Sequence, residues 1–424
     1  MYQLLIIIFC FNFILSNRSE LPQGLTEDEI KKIDLIYSMG SRTEPPVGPV
    51  KNIAEYDPMQ GVLIRYPFGI TTSLIKEMAQ DVIVYCLVAS NQQNSAYNSM
   101  NNAGVNMNNV EFILGSTDSY WTRDYGPWWI IDGNGDIGIV DFTYNRPRPN
   151  DNDAPSKVSQ YLDVPYYSAD FISTGGNYMT DGFGISASAH IAYTENPECN
   201  TNNQSSVPLP PCSYVDSVME EYYGINTYHV VADPNNEYID HIDCWGKFLS
   251  SNKVLLRQVP SSHPQYNEIE NVADYFSSIL TNNGTPWEVF RVNTPNDQPY
   301  TNSLILNNKV FVPIMNSSWD GPALEVYETA MPDHIVLPFT GSWESTDALH
   351  CRAKGIPDLS FMQFSQGDVN MDSLINVLDI VLVVNFVLGV EEPTSSQVDL
   401  SDMNNDSIVN ILDVISIVNL VLGK

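Results

Sequence analysis

The chain has 424 residues, 43% of them hydrophobic, and sets 51 acidic side chains against 19 basic ones for a formal charge of -32. That length accommodates one large domain and a small one. The charge argues against nucleic acid and anionic membrane surfaces, which select clustered lysine and arginine, and favours a cationic ligand or calcium.

Residues 4–15 form an apolar run broken only by Asn12 and followed by Ser16 and Asn17. This is the size of a secretory signal core and too short to span a bilayer, so residues 1–16 read as a signal peptide and the mature chain as secreted, or extracellular. No later stretch reaches membrane-spanning length. Removing the leader leaves Cys86, Cys199, Cys212, Cys244 and Cys351, an odd number, so at least one thiol stays out of any internal disulfide. Cys199 and Cys212 flank a polar, proline-rich loop that an exported protein can close as a disulfide, whereas Cys86 lies in an apolar strand and reads as a buried hydrophobe. Residues 17–54 read as a polar N-terminal extension. A helix is expected over 26–39, capped by Thr26 and Glu29, and Pro45-Pro46-Val47-Gly48-Pro49 breaks the chain before a folded body near Glu55.

From there a pattern recurs: a polar lead-in, a β-hairpin, a helix and a single strand. Its plainest copies are residues 246–292 and 302–339; 128–144 and 183–194 with His229-Val230-Val231 look related, and 62–88 gives a partial fifth. Periods of about 50 residues imply a ring or array of α/β units. Asp124, Asn177, Asp243 and Asn302 each stand before a hairpin, so units set about a common axis would bring these lead-ins to one mouth. In Tyr238-Ile239-Asp240-His241-Ile242-Asp243-Cys244-Trp245, read as extended, His241 and Asp243 project to one face and Cys244 to the other. Downstream, Cys351 lies in Asp347-Ala348-Leu349-His350-Cys351-Arg352, a polar setting whose cationic neighbours favour a thiolate. Cysteine, histidine and aspartate together suggest covalent catalysis.

Trp121-Thr122-Arg123-Asp124-Tyr125-Gly126-Pro127, Gly175-Gly176-Asn177, the 240–245 segment, Thr301-Asn302-Ser303 and the Cys351 segment resemble the Porphyromonas-type peptidylarginine deiminase and agmatine deiminase family, from about Glu55 to Ile356, which implies a catalytic domain over 55–360. The resemblance implies a five-bladed pseudo-symmetric α/β propeller. It also implies Cys351 as the nucleophile on a guanidinium carbon, His241 as the acid that protonates departing ammonia, and Asp124 and Asp243 as the groups holding the guanidinium nitrogens. Asn302 would orient Cys351 or the substrate. Carboxylates suit this work because a planar cation with a fork of N–H donors is best held in its own plane by anions. No metal or organic cofactor is required for such a step.

Asn145-Arg146-Pro147-Arg148-Pro149-Asn150 sets two arginines, stiffened by prolines, in an acidic chain, and Arg146 and Arg148 therefore read as an anion site. Agmatine offers no carboxylate; in the peptidylarginine branch a similar pair reads a C-terminal carboxylate. Trp121, Tyr238 and Ile239 resemble positions lining the arginine stem. The expected activity is conversion of peptidyl arginine, C-terminal in preference, to citrulline and ammonia through a cysteine thiouronium, with agmatine deimination and non-catalytic guanidinium binding as alternatives.

Residues 366–424 carry a second duplication. Asp368, Asn370, Asp372, Leu374 and Asp379 are echoed by Asp402, Asn404, Asp406, Ile408 and Asp413, offering oxygen donors at loop positions 1, 3, 5, 7 and 12 that suit calcium at two sites. The duplication resembles a type I dockerin module, small and all-α, which implies a cohesin-bearing scaffold as partner. Ser373 and Ser407 stand at position 6, where glycine is usual.

Overall fold

The alternating apolar runs become five separate sheets in the computed structural model, which describes residues 21–199, 204–236, 239–360, 364–372, 374–404, 406 and 408–423. The expected signal peptide lies outside the described residues. Each sheet joins an antiparallel pair to a strand in parallel, and the parallel connection runs through a helix, as a same-sheet crossover requires. One sheet contains Gly246–Ser250, Lys253–Gln258 and Glu288–Asn293 with the helix Tyr266–Ser278. The next contains Leu304–Leu306, Lys309–Ile314 and Ile335–Thr340 with the helix Asp320–Ala330. A third is built from Trp128–Ile131, Ile137–Tyr144 and Tyr166–Ser173, with Lys51–Asn52 added at its edge.

The other two depart from the repeat pattern in detail. The hairpin expected from residue 183 starts at Met179–Thr180 and pairs with Ile185–Ala189, Phe183 being in its turn; Thr227–Val231 completes that sheet. The partial fifth copy, Met59–Arg65, Ile83–Val88 and Val110–Leu114, is completed from the far end of the chain by Lys354–Pro357, in register Lys354↔Leu63 and Gly355↔Val62. The class is α/β, as the repeats predict. Among the described residues no strand pairing links one sheet to the next, so hydrogen bonding by itself draws five units and not a closed ring.

The first strand is Lys51–Asn52, just before Glu55, and it pairs with Ile131 and Ile130. The helix expected over 26–39 is broken into Glu27–Ile30, Ile33–Leu35 and Ile36–Met39. Its capping box is present, with Thr26 and Glu29 bonding each other's N–H. Yet Ile30, Ile33 and Leu35 are exposed and only Ile36 of this stretch is a buried apolar residue, so no continuous face packs to sustain a long helix. Cys199 and Cys212 form the expected disulfide, with their Cα atoms 5.1 Å apart. Cys86 is fully buried, and its thiol is pushed up to about 12 by that burial.

The tail forms the helices Val377–Val387, Ser395–Ser401 and Ile411–Val421 around Val369, Met371, Val383, Leu400, Val414 and Ile417. Asn376 with Asp379, and Asn410 with Asp413, make capping boxes at the two duplicated helices. The tail meets the body at Lys51, whose ammonium lies 4.4 Å from the Phe183 ring centre and 5.0 Å from that of Phe364. Among the described residues no helix is long and apolar enough to cross a membrane.

Candidate active site

The polar lead-ins do gather. Asp124 sits in the turn before Trp128, and Gly175–Asn177 forms a 3₁₀ turn beside it. Gly176 is there for space: a Cβ on it would stand 2.5 Å from Asp124 Oδ1 and 2.6 Å from His241 Nδ1. Those two side chains lie 3.6 Å apart. Asn177 is a structural pin, its amide oxygen accepting from the N–H of Ala189 and of Ile242.

His241 is extended, but Ile242–Cys244 closes into a 3₁₀ turn, so strict alternation does not hold there. Asp243 still reaches the site. Cys244, expected to turn away, instead lies with its sulfur 3.7 Å from Asp243 Oδ1 and beside the Cys351 thiol.

Cys351 is buried in the 3₁₀ turn His350–Arg352. Asn302 holds that turn: its amide oxygen accepts from the N–H of Ala348 at 3.0 Å and His350 at 2.9 Å, and its NH2 donates to Cys351 Sγ at 3.2 Å. The thiol donates to Asp243 Oδ2 at 3.5 Å. Asp243 Oδ2 also meets His350 Nδ1 at 2.6 Å, and His350 Nε2 meets Glu55 Oε2 at 2.5 Å. Glu55 in turn pairs with Arg123 Nη2 and Lys247 Nζ, each at 2.8 Å.

The electrostatics follow from burial. Desolvation, reinforced by Asp243, Asp347 and Asp124, pushes the Cys351 thiol well above its usual value, although the Cys244 thiol beside it works the other way. The expected thiolate-favouring cations are spent elsewhere: His350 bridges two carboxylates, and Arg352 donates to the carbonyls of Gly69 and Ser342 while lying over Tyr120, Trp121 and Trp343. Burial brings His241 down to about 3, so its imidazole is neutral, and raises Asp124 well above the carboxylate range, with Asp243 adding to the rise. Burial also acts on Asp243, but His350 outweighs it and holds that carboxyl below its ordinary value. In the same way His350, Lys247 and Arg123 overcome the desolvation of Glu55 and keep it well below. The result is a buried cluster in which Asp243 carries the negative charge and the Cys351 thiol keeps its proton.

Arg146 and Arg148 are buried and already engaged. Arg146 donates from Nε to the Gln23 carbonyl, and Arg148 meets both oxygens of the Glu29 carboxylate from Nε at 2.7 Å and Nη2 at 3.2 Å. Trp121 donates from its indole to the Leu21 carbonyl, while Ile239 is buried in the apolar cluster of Ile242, Cys244 and Trp245. Tyr238 lies outside the described residues. Sequence reasoning missed Glu55, His350 as a bridge, Asp347 and Gln23; only His350 and Asp347 carried a signal, their adjacency to Cys351.

In the tail, Asp379 Oδ1 accepts from the N–H of Val369 and Asn370, and Asp413 Oδ1 from that of Met403. Asp372 N–H donates to Asp368 and Asn370, and Asp406 N–H to Asp402 and Asn404, while Leu374 and Ile408 N–H donate to Asp372 and Asp406. Ser373 and Ser407 lie outside the described residues. The donors are all oxygen, which suits a hard cation. Among the described residues no three carboxylate, imidazole or thiol groups converge into a metal cluster.

Residues 61–357 match the Porphyromonas-type peptidyl-arginine deiminase family, and residues 366–422 match the dockerin type I domain. The chain belongs to that deiminase family. It is a guanidino-modifying hydrolase carrying a dockerin module. Among relatives of this deiminase, a putative agmatine deiminase of Mycoplasma mycoides is 25% identical over 54% of this chain and 71% of its own length. The agmatine deiminase of Ectopseudomonas mendocina is 23% identical over 64% and 81%. Two solved structures share the fold: a putative arginine deiminase of Porphyromonas gingivalis (TM-score 0.63, 16% identity, 73% of this chain and 98% of that one) and the agmatine deiminase of Enterococcus faecalis (0.63, 17%, 75% and 100%).

Proposed function

We propose that the deiminase hydrolyses peptidyl arginine, a C-terminal arginine in preference, to citrulline and ammonia, with Cys351 as nucleophile. What supports this most is the gathering of Cys351, His241, Asp124 and Asp243 with Arg146 and Arg148 at the rim. A guanidinium entering between Asp124 and Asp243 meets in-plane acceptors, and each close carboxylate is worth roughly 4 kcal/mol at surface-like screening and more in a dry site. Its charge also lowers the cost of ionising Cys351. The thiol gives its proton to neutral His241 as sulfur bonds to the guanidinium carbon. His241 passes that proton to an amino group, the C–N bond breaks, and ammonia leaves a thiouronium. Water, deprotonated by His241, then adds to the same carbon and the C–S bond breaks, returning the thiol and releasing the ureido product; the remaining proton leaves as ammonium. Asn302 orients the thiol throughout.

Arg146 takes a main-chain carbonyl and Arg148 a carboxylate within this chain, which are the groups a peptide presents and agmatine lacks. The relatives named agmatine deiminase support the second reading, agmatine as substrate. Ammonia release from agmatine, an arginine-terminated peptide and the same peptide amidated separates the readings: the free-carboxylate peptide is expected to be turned over best, and preference for agmatine overturns the substrate assignment. Cys351→Ala should abolish release from all three, and unchanged release would sink the covalent route.

We read the five sheets as blades about this site, with 55–360 as the catalytic region and 366–424 as a module acting outside the cell. In that module Asp368, Asn370, Asp372, Asp379 and the Leu374 carbonyl would hold one calcium, and Asp402, Asn404, Asp406, Asp413 and the Ile408 carbonyl another. Calcium would supply charge neutralisation that fixes the loops. The exposed Val377, Leu378, Val381, Ile411, Leu412 and Ile415 support a cohesin-bearing scaffold as partner.

A further inference from the structure

Residues 21–29 lie across the active site and make contacts that a substrate would make. Gln23 is 1% exposed; its carboxamide nitrogen donates to Asp124 Oδ2 at 2.7 Å and lies 3.4 Å from His241 Nδ1. Four successive carbonyls of this segment are taken up by the rim. Trp121 Nε1 holds Leu21 at 3.0 Å, Arg146 Nε holds Gln23 at 2.9 Å, and Arg148 Nη2 holds Pro22 at 2.7 Å and Gly24 at 3.1 Å. At the far end the capping box fixes Glu29, whose carboxylate pairs with Arg148. Apolar packing does not account for this placement, since Leu21 and Leu25 are half-buried and Ile30 is 57% exposed. The segment is held by the polar groups of the site.

The chemistry of the inserted side chain is specific. Counted from Cα, glutamine and arginine share Cβ, Cγ, Cδ and then a nitrogen, so the Gln23 amide nitrogen stands where an arginine Nε would stand. An arginine there would carry its guanidinium carbon one bond deeper; glutamine ends at the nitrogen and has no carbon at that depth for a thiol to attack.

We propose that residues 21–29 are an intramolecular peptide ligand of the active site, with Gln23 in the place of substrate arginine, so that the intact chain is latent until the segment is displaced or removed. This rests on the deiminase reading and adds its regulation. A tethered competitor raises KM and leaves kcat alone, because saturating substrate displaces it.

Three measurements on the full chain test it. In ammonia release from an arginine peptide, Gln23→Ala and Glu29→Gln should each lower KM about tenfold with kcat unchanged, the factor one lost hydrogen bond supports; KM equal to wild type in both overturns the proposal. In Gln23→Arg the introduced side chain should be deiminated in cis, at a rate independent of protein concentration, with its imino NH exchanged for oxygen, water consumed and ammonia released. That side chain left intact in a protein that turns over added peptide also overturns it. Finally, in Cys351→Ala, a glutamate-free arginine peptide should speed cutting at Glu27 and Glu29 by a glutamate-specific protease. Unchanged cutting overturns the proposal, whereas absence of ammonia from every protein and substrate overturns the deiminase reading and leaves this binding measurement to decide the inference.

Discussion

Asp347 is buried with both carboxylate oxygens lacking a hydrogen-bond partner among the described residues, and desolvation pushes it up to about 7 against the pull of Arg352 and the Cys351 thiol. An unfolded aspartate titrates near pH ~3.9. Between those values the folded chain keeps a proton the unfolded chain has lost, so stability falls as pH rises through that window. Asp347→Asn removes the buried charge while keeping the shape. It should exceed wild type in the free energy of urea unfolding at pH 8, by up to about 4 kcal/mol, and converge with it as pH approaches 4; an equal gain at both ends would reject the buried-charge account. At the rim, Arg146→Ala should cut turnover of carboxylate-bearing peptides about tenfold more than that of carboxylate-free arginine analogues, read as kcat/KM. Equal losses would remove Arg146 from substrate reading. The gathering of Cys351, His241, Asp124, Asp243 and Asn302 was legible because each sits in a distinctive local motif. Gln23 and Glu55 were not, because nothing around them in sequence signals that distant arginines or histidines will meet them.

The elements were legible where a short apolar run is buried on both faces, as in Lys253–Gln258 and Lys309–Ile314, and illegible where tertiary contacts override the local pattern. Residues 26–39 have the cap of a long helix but no face to bury, and Ile242–Cys244 coils where an extended run was expected. What ties the elements together is Glu55, which precedes the first long strand yet pairs with Arg123, Lys247 and His350 from three other segments. Lys247 is itself held down by burial despite that carboxylate, so removing the anion leaves buried cations unpaired. Glu55→Ala should therefore cost about 3–5 kcal/mol in thermal or urea unfolding. A loss under about 1 kcal/mol would mean water replaces the carboxylate.

For the whole molecule, the catalytic body and the tail differ in what holds them. The body has an extensive apolar core, whereas the tail packs a small one and leaves Leu388, Val390 and Leu422 exposed. A module this small needs a staple. Calcium chelation of the full chain should lower the unfolding temperature of a tail transition while leaving the body's transition and ammonia release unchanged; a single transition insensitive to chelation would reject the two calcium loops. The tail duplication was plain in sequence because its ligand spacing is local. Its docking beside Lys51 was not, since that contact joins Phe364 to the opposite end of the chain. One pairing in the body sets an order of events. Lys354–Pro357, three residues past Cys351, hydrogen-bonds back to Met59–Arg65 and completes the first sheet last. During synthesis the Gln23 segment emerges from the ribosome long before Cys351, and the first sheet is completed only when this final strand, just past Cys351, has followed. The growing chain thus has its own occupant in hand before it has a thiol to restrain.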